Sequence, residues 1–496
     1  MRSPSVMRPP FVPLALLVLL VLLVLLVMSA GCESRRAGAA IEESGRSPIV
    51  AVHVTTGDQR RLLARDADLV LESRAADSTL PVVVVDPARR YQSVVGWGAA
   101  VTDAAAHLIQ STLTPAQREA LLQELFGRAP GRGIGLSFVR VPIGASDFSP
   151  RHYSFDDMPP GASDPSLARF SIDADRAEKI PVLQRALAIN PQLVIVGSPW
   201  SAPGWMKTSG SLIGGTLTRE HYPAFAEYLR RWVAEYERAG VPIFAVTLQN
   251  EPHHEPDDYP GMRLEPAARA TLIRDHLGPL LARHGMTTRL WEWDHNWDEP
   301  ESPLAVLGDS GARRWVAGVA WHCYGGDVAA QAAVHDRYPE VESWFTECSG
   351  GEWAPVWSDN LSWNVSTLVI GTARAWTRGV ALWNLALDEQ HGPHLGGCTN
   401  CRGVVTIHAA TGEVVRNPEY YALAHASRFV RPGATRIASS APAGLETVAF
   451  RNADDGAIAL IVLNGAAEPR PLAVREGART FAYTMPAGAV ATFTWR

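Results

Sequence analysis

Eight short apolar runs along the middle of the chain limit the fold more than any other feature. They cover residues 94–101, 136–141, 193–197, 244–249, 288–293, 317–322, 343–346 and 380–384. Helix-patterned segments fall between most of them. One opens at Thr114-Pro115-Ala116-Gln117, with Thr as N-cap, Pro at the first helical position and Gln two residues later, the pattern of a capping box. Another runs from about Tyr222 to Ala239 and meets Gly240, the expected stop. Strands alternating with helices imply a parallel sheet, and eight such units imply a closed (β/α)8 TIM barrel. A chain of 496 residues has room for that barrel and a smaller partner domain. Further strand patterns at 49–54, 80–85, 446–450, 457–463, 480–484 and 490–495 predict a side β-sandwich built from both ends of the chain.

The expected division is a targeting segment over 1–32, a tether over 33–47 and N-terminal sandwich strands over 48–90. The barrel follows over 91–428 and the C-terminal sandwich over 429–496. Arg2 and Arg8 precede an apolar run from Phe11 to Met28, followed by Ser29-Ala30-Gly31-Cys32. Small residues before a cysteine resemble a lipobox, with Ser29 where Leu is usual. Lipid on Cys32 would make this a membrane-anchored cell-envelope lipoprotein. An uncleaved anchor or an ordinary signal peptide also fits the run, and every version exports the chain. Export permits disulfides, and Cys398 and Cys401 in Cys-Thr-Asn-Cys are expected to form one. Cys323 and Cys348, each beside a strand end, read as buried free thiols. A net charge of −6 without a basic stripe argues against nucleic acid as a partner.

Strand ends of a TIM barrel converge on one face, where active sites form. Glu251 falls just past strand four and Glu347 just past strand seven. Two carboxyls about 5–5.5 Å apart can hydrolyse a glycoside with retention, one as nucleophile and one as acid and then base. Glu347 is the expected nucleophile and Glu251 the acid/base. The charge of Glu347 is expected to raise the Glu251 pKa. Asn250 is placed to hold the sugar 2-OH. Trp97, Trp200, Trp293, Trp321 and Trp383 sit at strand ends, where indole rings either stack on sugars or pack the core.

Several motifs recur in the order found in family 30 glycoside hydrolases, which the chain resembles from about Gln92 to Arg436. They are Gly96 to Ala105, Arg140 to Ser149, Ser198 to Lys207, Asn250-Glu251-Pro252, Trp383 to Leu387 and the Tyr420 to His425 stretch. That family contains the lysosomal glucosylceramidase, and some bacterial and fungal relatives cut β-1,6-glucan. The resemblance implies that Glu251 and Glu347 are the acid/base and nucleophile. It implies that Asp147, Trp200 and Trp383 wall the pocket for the reacting sugar, and that His322 and Tyr324 lie near the nucleophile, Tyr324 donating to Glu347. Arg140 reads as a partner for a carboxylate. No cofactor and no metal is implied.

The chain departs from the lipid-cleaving animal enzymes after Trp383, where Cys398 and Cys401 close a loop of their own. The loops after strands six to eight are mostly small and polar, which favours a soluble or polysaccharide β-glucoside over glucosylceramide. Two other readings remain. His253, His254, Glu255, Asp257 and Asp258 cluster after strand four, as a metal-dependent barrel hydrolase could require. A surface glycan-binding lipoprotein on an inactive hydrolase scaffold is the non-enzyme reading, against which both carboxylates are retained.

Overall fold

The computed structural model describes residues 48–73, 77, 79–129 and 133–496. The apolar run and Cys32 therefore lie outside the described residues. Eight parallel strands close into a barrel: Gly96–Ala100, Phe138–Ile143, Val194–Pro199, Ala245–Thr247, Arg289–Asn296, Val316–His322, Glu342–Glu347 and Thr377–Leu382. Each strand pairs with the next in sequence, and the eighth returns to the first. Each of the eight expected runs overlaps one of these strands.

Large and small side chains alternate to fill the barrel floor. Phe138, Trp291 and Trp344 sit among Val196, Ala245, Ala320 and Ala381. The Trp291 and Trp344 rings stack 4.3 Å apart. Gly318 and Gly379 make room for Trp344, because a Cβ at either would come within 2.7 or 2.9 Å of its ring. The interior is thus a packed core, and any pocket must lie at the mouth. Outside, the helix Pro115–Phe126 starts with the expected capping box on Thr114 and Gln117. The helix Tyr222–Arg238 ends just before Gly240, whose φ of +76° glycine adopts without the strain a side chain would bring.

The two chain ends join in one ten-stranded sheet. Ile49–Thr56 pairs with Ala489–Trp495, and Val82–Ser93 lies between Thr435–Ser439 and Arg470–Glu476. Thr435–Ser439 and Arg470–Glu476 were not among the expected strands, since polar and charged residues interrupt their alternation. The strand Ile458–Asn464 is buried throughout. Its Leu460 and Val462 face the sandwich core, while Ala459, Ile461 and Leu463 join the core shared with the barrel. Among the described residues no helix is long and apolar enough to cross a membrane.

Cys398 and Cys401 are bonded as expected. Cys323 and Cys348 are bonded as well, with Cα atoms 5.4 Å apart, so they are not free thiols. The reason is topological: strands six and seven are neighbours, and the residues after their last pair meet although 25 positions separate them in sequence.

A buried histidine fastens the sandwich to the barrel. His425, on the helix Pro418–Ser427, is fully buried, with Nδ1 2.8 Å from the Thr492 hydroxyl and Nε2 2.8 Å from that of Thr55. Burial, then the His53 and Arg428 charges, lowers its pKa from 6.5 to about 3. The unfolded chain therefore takes up a proton at this site as pH falls through 6.5, and the folded chain does not. Stability conferred by His425 is complete above pH 6.5 and declines as pH falls toward about 3. Urea unfolding between pH 6.5 and 4.5 should lose about 1.4 kcal/mol per pH unit more in the native protein than in His425→Gln. Parallel curves would show that His425 does not titrate this way.

Candidate active site

The fifth barrel strand breaks the period of two at the mouth. Glu292 turns outward to Arg269 at 2.5 Å, so plain alternation would turn Asp294 outward too. Instead Trp293 and Asp294 adopt φ of +74° and +64°. The ladder runs from Ala320↔Trp293 directly to Trp321↔His295, leaving Asp294 as the extra residue of a bulge. Its carboxylate then points inward, with no exposed surface. It accepts from Ser198 at 2.5 Å, Thr247 and Thr346 at 2.7 Å, Arg140 at 2.8 Å and His322 at 3.1 Å. Burial opposes its ionisation, but Arg140 and His322 hold it far below the usual carboxylate range. Sequence reasoning missed Asp294; the only signal was an acid inside a tryptophan-rich strand.

Arg140 is the counterpart of Asp294. It is fully buried, donating to Glu347 at 2.5 Å, to Asn250 Oδ1 at 2.7 Å and to Ser198 at 3.1 Å. A second bulge, at Thr346, brings Glu347 opposite His322. Glu251 follows strand four with φ of +48°, a left-handed conformation that costs a non-glycine residue on the order of 1 kcal/mol. One carboxylate oxygen from each of Glu251 and Glu347 and a ring nitrogen of His322 lie within 4.8 Å of one another. His322 Nδ1 is 3.1 Å from Glu251, and the Tyr324 hydroxyl donates to Glu347 at 3.1 Å.

This geometry reverses one expectation. Glu347 does not hold the Glu251 pKa up. Burial raises it, but the hydrogen bond and charge of His322, with His295 and His254 behind, lower it to about 2. Burial lowers His322, yet Glu347, Asp294 and Glu251 raise it to about 9. Glu347 is pushed up by burial and by Glu251 and Asp294, against the pull of His322 and Arg140. The contact with Glu251 and Asp294 favours the protonated imidazole, and the sequence carried no sign that a histidine would stand against both acids. His295, also missed, lies 3.9 Å from Glu251, and burial lowers its pKa to about 4.

Trp200 and Trp383 stack 4.9 Å apart at the mouth, with the Arg140 guanidinium 4.8 Å from the Trp200 ring. Asp147 lies on the same side. Burial and the Glu347 charge raise its pKa to about 8, although the Trp383 indole N–H donates to it. Its buried Oδ1 has no hydrogen-bond partner among the described residues, which leaves an acceptor for a ligand hydroxyl. The Cys398–Cys401 loop presses on it: a Cβ on Gly397 would come 2.6 Å from that of Asp147. Trp97, Trp293 and Trp321 are core residues instead. The histidines and acids after strand four diverge, His253 to Glu299, His254 to Tyr259 and Glu255 to the Gly215 N–H. Glu251, His322 and Glu347 have the spacing of three metal ligands. A cation there would face the Arg140 guanidinium, which is paired with Glu347, so charge disfavours it.

Residues 94–430 match the model of the glycosyl hydrolase family 30 TIM-barrel domain, and residues 433–493 that of the family's β-sandwich domain. The chain belongs to glycosyl hydrolase family 30. It is a glycoside hydrolase. An endo-1,6-β-D-glucanase of Neurospora crassa is 34% identical over 407 residues, covering 78% of this chain and 82% of that one. The lysosomal acid glucosylceramidase of Mus musculus is 30% identical over 449 residues, covering 84% and 83%. The solved structure of the endo-β1,6-glucanase BT3312 superposes with a TM-score of 0.83 at 32% identity, covering 90% of this chain and 98% of that one.

Asp294→Asn tests the network beneath the acids. The amide cannot neutralise Arg140, and breaking a buried pair costs about 3–5 kcal/mol. Urea unfolding should show that loss, and NMR titration should find His322 protonating below the pKa of about 9 that it has beside Asp294. An unchanged His322 titration would mean that Asp294 does not set its charge.

Proposed function

We propose that this family 30 enzyme is a retaining endo-β-1,6-glucanase, with Glu347 as nucleophile and Glu251 as acid/base. The observation that carries the mechanism is the approach of the two carboxylates to within 4.8 Å, the range of double displacement and too close for an intervening water. Glu347 attacks the anomeric carbon. Arg140 and the Tyr324 hydroxyl, both donating to Glu347, favour its ionised form and fix its direction. The leaving oxygen needs a proton from Glu251. It comes across the 3.1 Å hydrogen bond from His322, leaving a neutral imidazole whose other nitrogen still donates to Asp294. That transfer leaves the net charge of the buried cluster unchanged, which lowers its cost where the groups are shielded from solvent. Once Glu347 is esterified, Glu251 deprotonates the water that releases the sugar. Asn250, held by Arg140, is placed for the sugar 2-OH, and Asp147, Trp200 and Trp383 enclose the ring.

Glucan as substrate is supported by the relatives named as endo-1,6-β-glucanases and by the disulfide-closed loop beside Asp147. Glucosylceramide is the second reading, favoured by the mouse relative and by exposed Trp353 and Leu395 on the loops after strands seven and eight. A panel of β-1,6-glucan, aryl β-glucoside, aryl β-xyloside and glucosylceramide separates them. The glucan should be cut internally, with the β-anomer of the new reducing end appearing first by proton NMR. Glu347→Ala should abolish turnover and yield an α-glycosyl azide with azide. Glu251→Ala should be slowed by several orders of magnitude and yield the β-glycosyl azide. Inverted product would end the double-displacement reading, and turnover of glucosylceramide alone would end the glucanase reading.

Export and anchoring through lipid on Cys32 complete the proposal. The residues that carry it lie outside the described ones, and two disulfides suit an oxidising compartment. Intact mass of membrane-extracted protein should give a chain beginning at lipid-modified Cys32. A mature N-terminus elsewhere would refute the anchor and leave the enzyme reading intact.

A further inference from the structure

Backbone pairing between barrel strands six and seven stops at the two residues that face the acid/base. The last pair is His322 with Glu347, reached only after a register shift. The next residue on each strand is a cysteine, and Cys323 is bonded to Cys348. The bridge continues the strand pairing where the ladder has ended. Cys323 stands between His322, which faces Glu251, and Tyr324, whose hydroxyl donates to Glu347. Cys348 follows Glu347, and its carbonyl accepts from the Trp383 N–H at 2.8 Å.

Tyr324 is 47% exposed, so packing does not confine its ring on every side. Its hydroxyl reaches Glu347 only if the backbone is held. One tether is its own N–H, which donates to Asn296 Oδ1 at 3.1 Å. A second holds the following residue, whose carbonyl accepts from the Trp297 N–H at 3.0 Å, and the bridge holds the preceding one. We propose that the Cys323–Cys348 disulfide is a positioning element of the reaction, holding the Tyr324 hydroxyl against Glu347 so that the nucleophile stays aimed and ionised. The proposal rests on Glu347 as nucleophile. Arg140, His322 and Glu251 also face Glu347, and they remain when the bridge is removed, so the loss should be partial.

A disulfide closing a 25-residue separation stabilises a fold whatever else it does, so a lower Tm alone decides nothing. The deciding readouts are kinetic. Cys323→Ala/Cys348→Ala, assayed on β-1,6-glucan or on whichever panel substrate is turned over, should lose roughly 10- to 100-fold in kcat, with KM nearly unchanged. The acid limb of its kcat/KM profile should move to higher pH, because Glu347 has lost a donor. Tyr324→Phe with the bridge intact should shift that limb equally, and the triple variant should lose little more than either parent. A lowered Tm with native kcat and native acid limb would overturn the proposal, as would losses that multiply fully in the triple variant. If the double variant does not fold, dithiothreitol can be titrated into the folded native enzyme, with opened bridges mapped by alkylation. Activity should fall as Cys323 and Cys348 become labelled, and full activity with both labelled would overturn the proposal. Failure of Glu347→Ala to give the α-glycosyl azide, with the bridge intact, would instead count against the nucleophile assignment.

Discussion

A guanidinium with no exposed surface organises the mouth of this barrel. It is that of Arg140, and a buried charge persists only where it is paired and hydrogen-bonded. Its partners are two carboxylates, an amide and a hydroxyl: Asp294, Glu347, Asn250 and Ser198. These come from strands three, five and seven and from the turn after strand four, while Arg140 itself is on strand two. Removing either acid would leave positive charge stranded, so satisfying Arg140 also fixes the direction of Glu347. Trp200 and Trp383 lie near the same guanidinium, joining the pocket wall to the charge beneath it.

Regular strands could not have built this cluster. In a barrel, alternate residues point inward, which limits each strand end to one inward side chain per layer. The bulges at Asp294 and Thr346 add residues and re-aim their neighbours. Left-handed backbone at Glu251, Trp293, Asp294 and Asn384 does the same at four positions near the mouth. Such conformations cost energy and persist where the surroundings over-determine them. Here the surroundings are a rigid floor of stacked aromatics below and the hydrogen bonds of Asp294 above.

Three carboxylates facing two cations make the charge state collective. Asp294 stays ionised through Arg140 and His322, and His322 stays protonated through Asp294, Glu251 and Glu347. No pairwise argument about Glu251 and Glu347 captures this, because the imidazole touches both Glu251 and Asp294. The imidazole stands one hydrogen bond from Glu251 on one side and from Asp294 on the other.

The sequence by itself determined the strand count, the alternation with helices, the two-ended sandwich and the positions of Glu251 and Glu347. Those features are written in local apolar periods and helix signals, which read correctly without knowledge of neighbours. Asp147, Trp200, His322, Tyr324 and Trp383 were picked out by resemblance to the family's motifs rather than by periodicity, each lying in a short segment at a strand end. Tertiary structure decided what depends on contact between distant segments. Asp294 entered the site because a bulge overrode the period of two. Cys323 met Cys348 because strands six and seven are neighbours in the barrel. Of the strand-end tryptophans, Trp200 and Trp383 stacked together at the barrel mouth, while Trp97, Trp293 and Trp321 turned into the core. The charges of Glu251 and His322 were set by groups from separate strands, whose mutual distances no local pattern encodes.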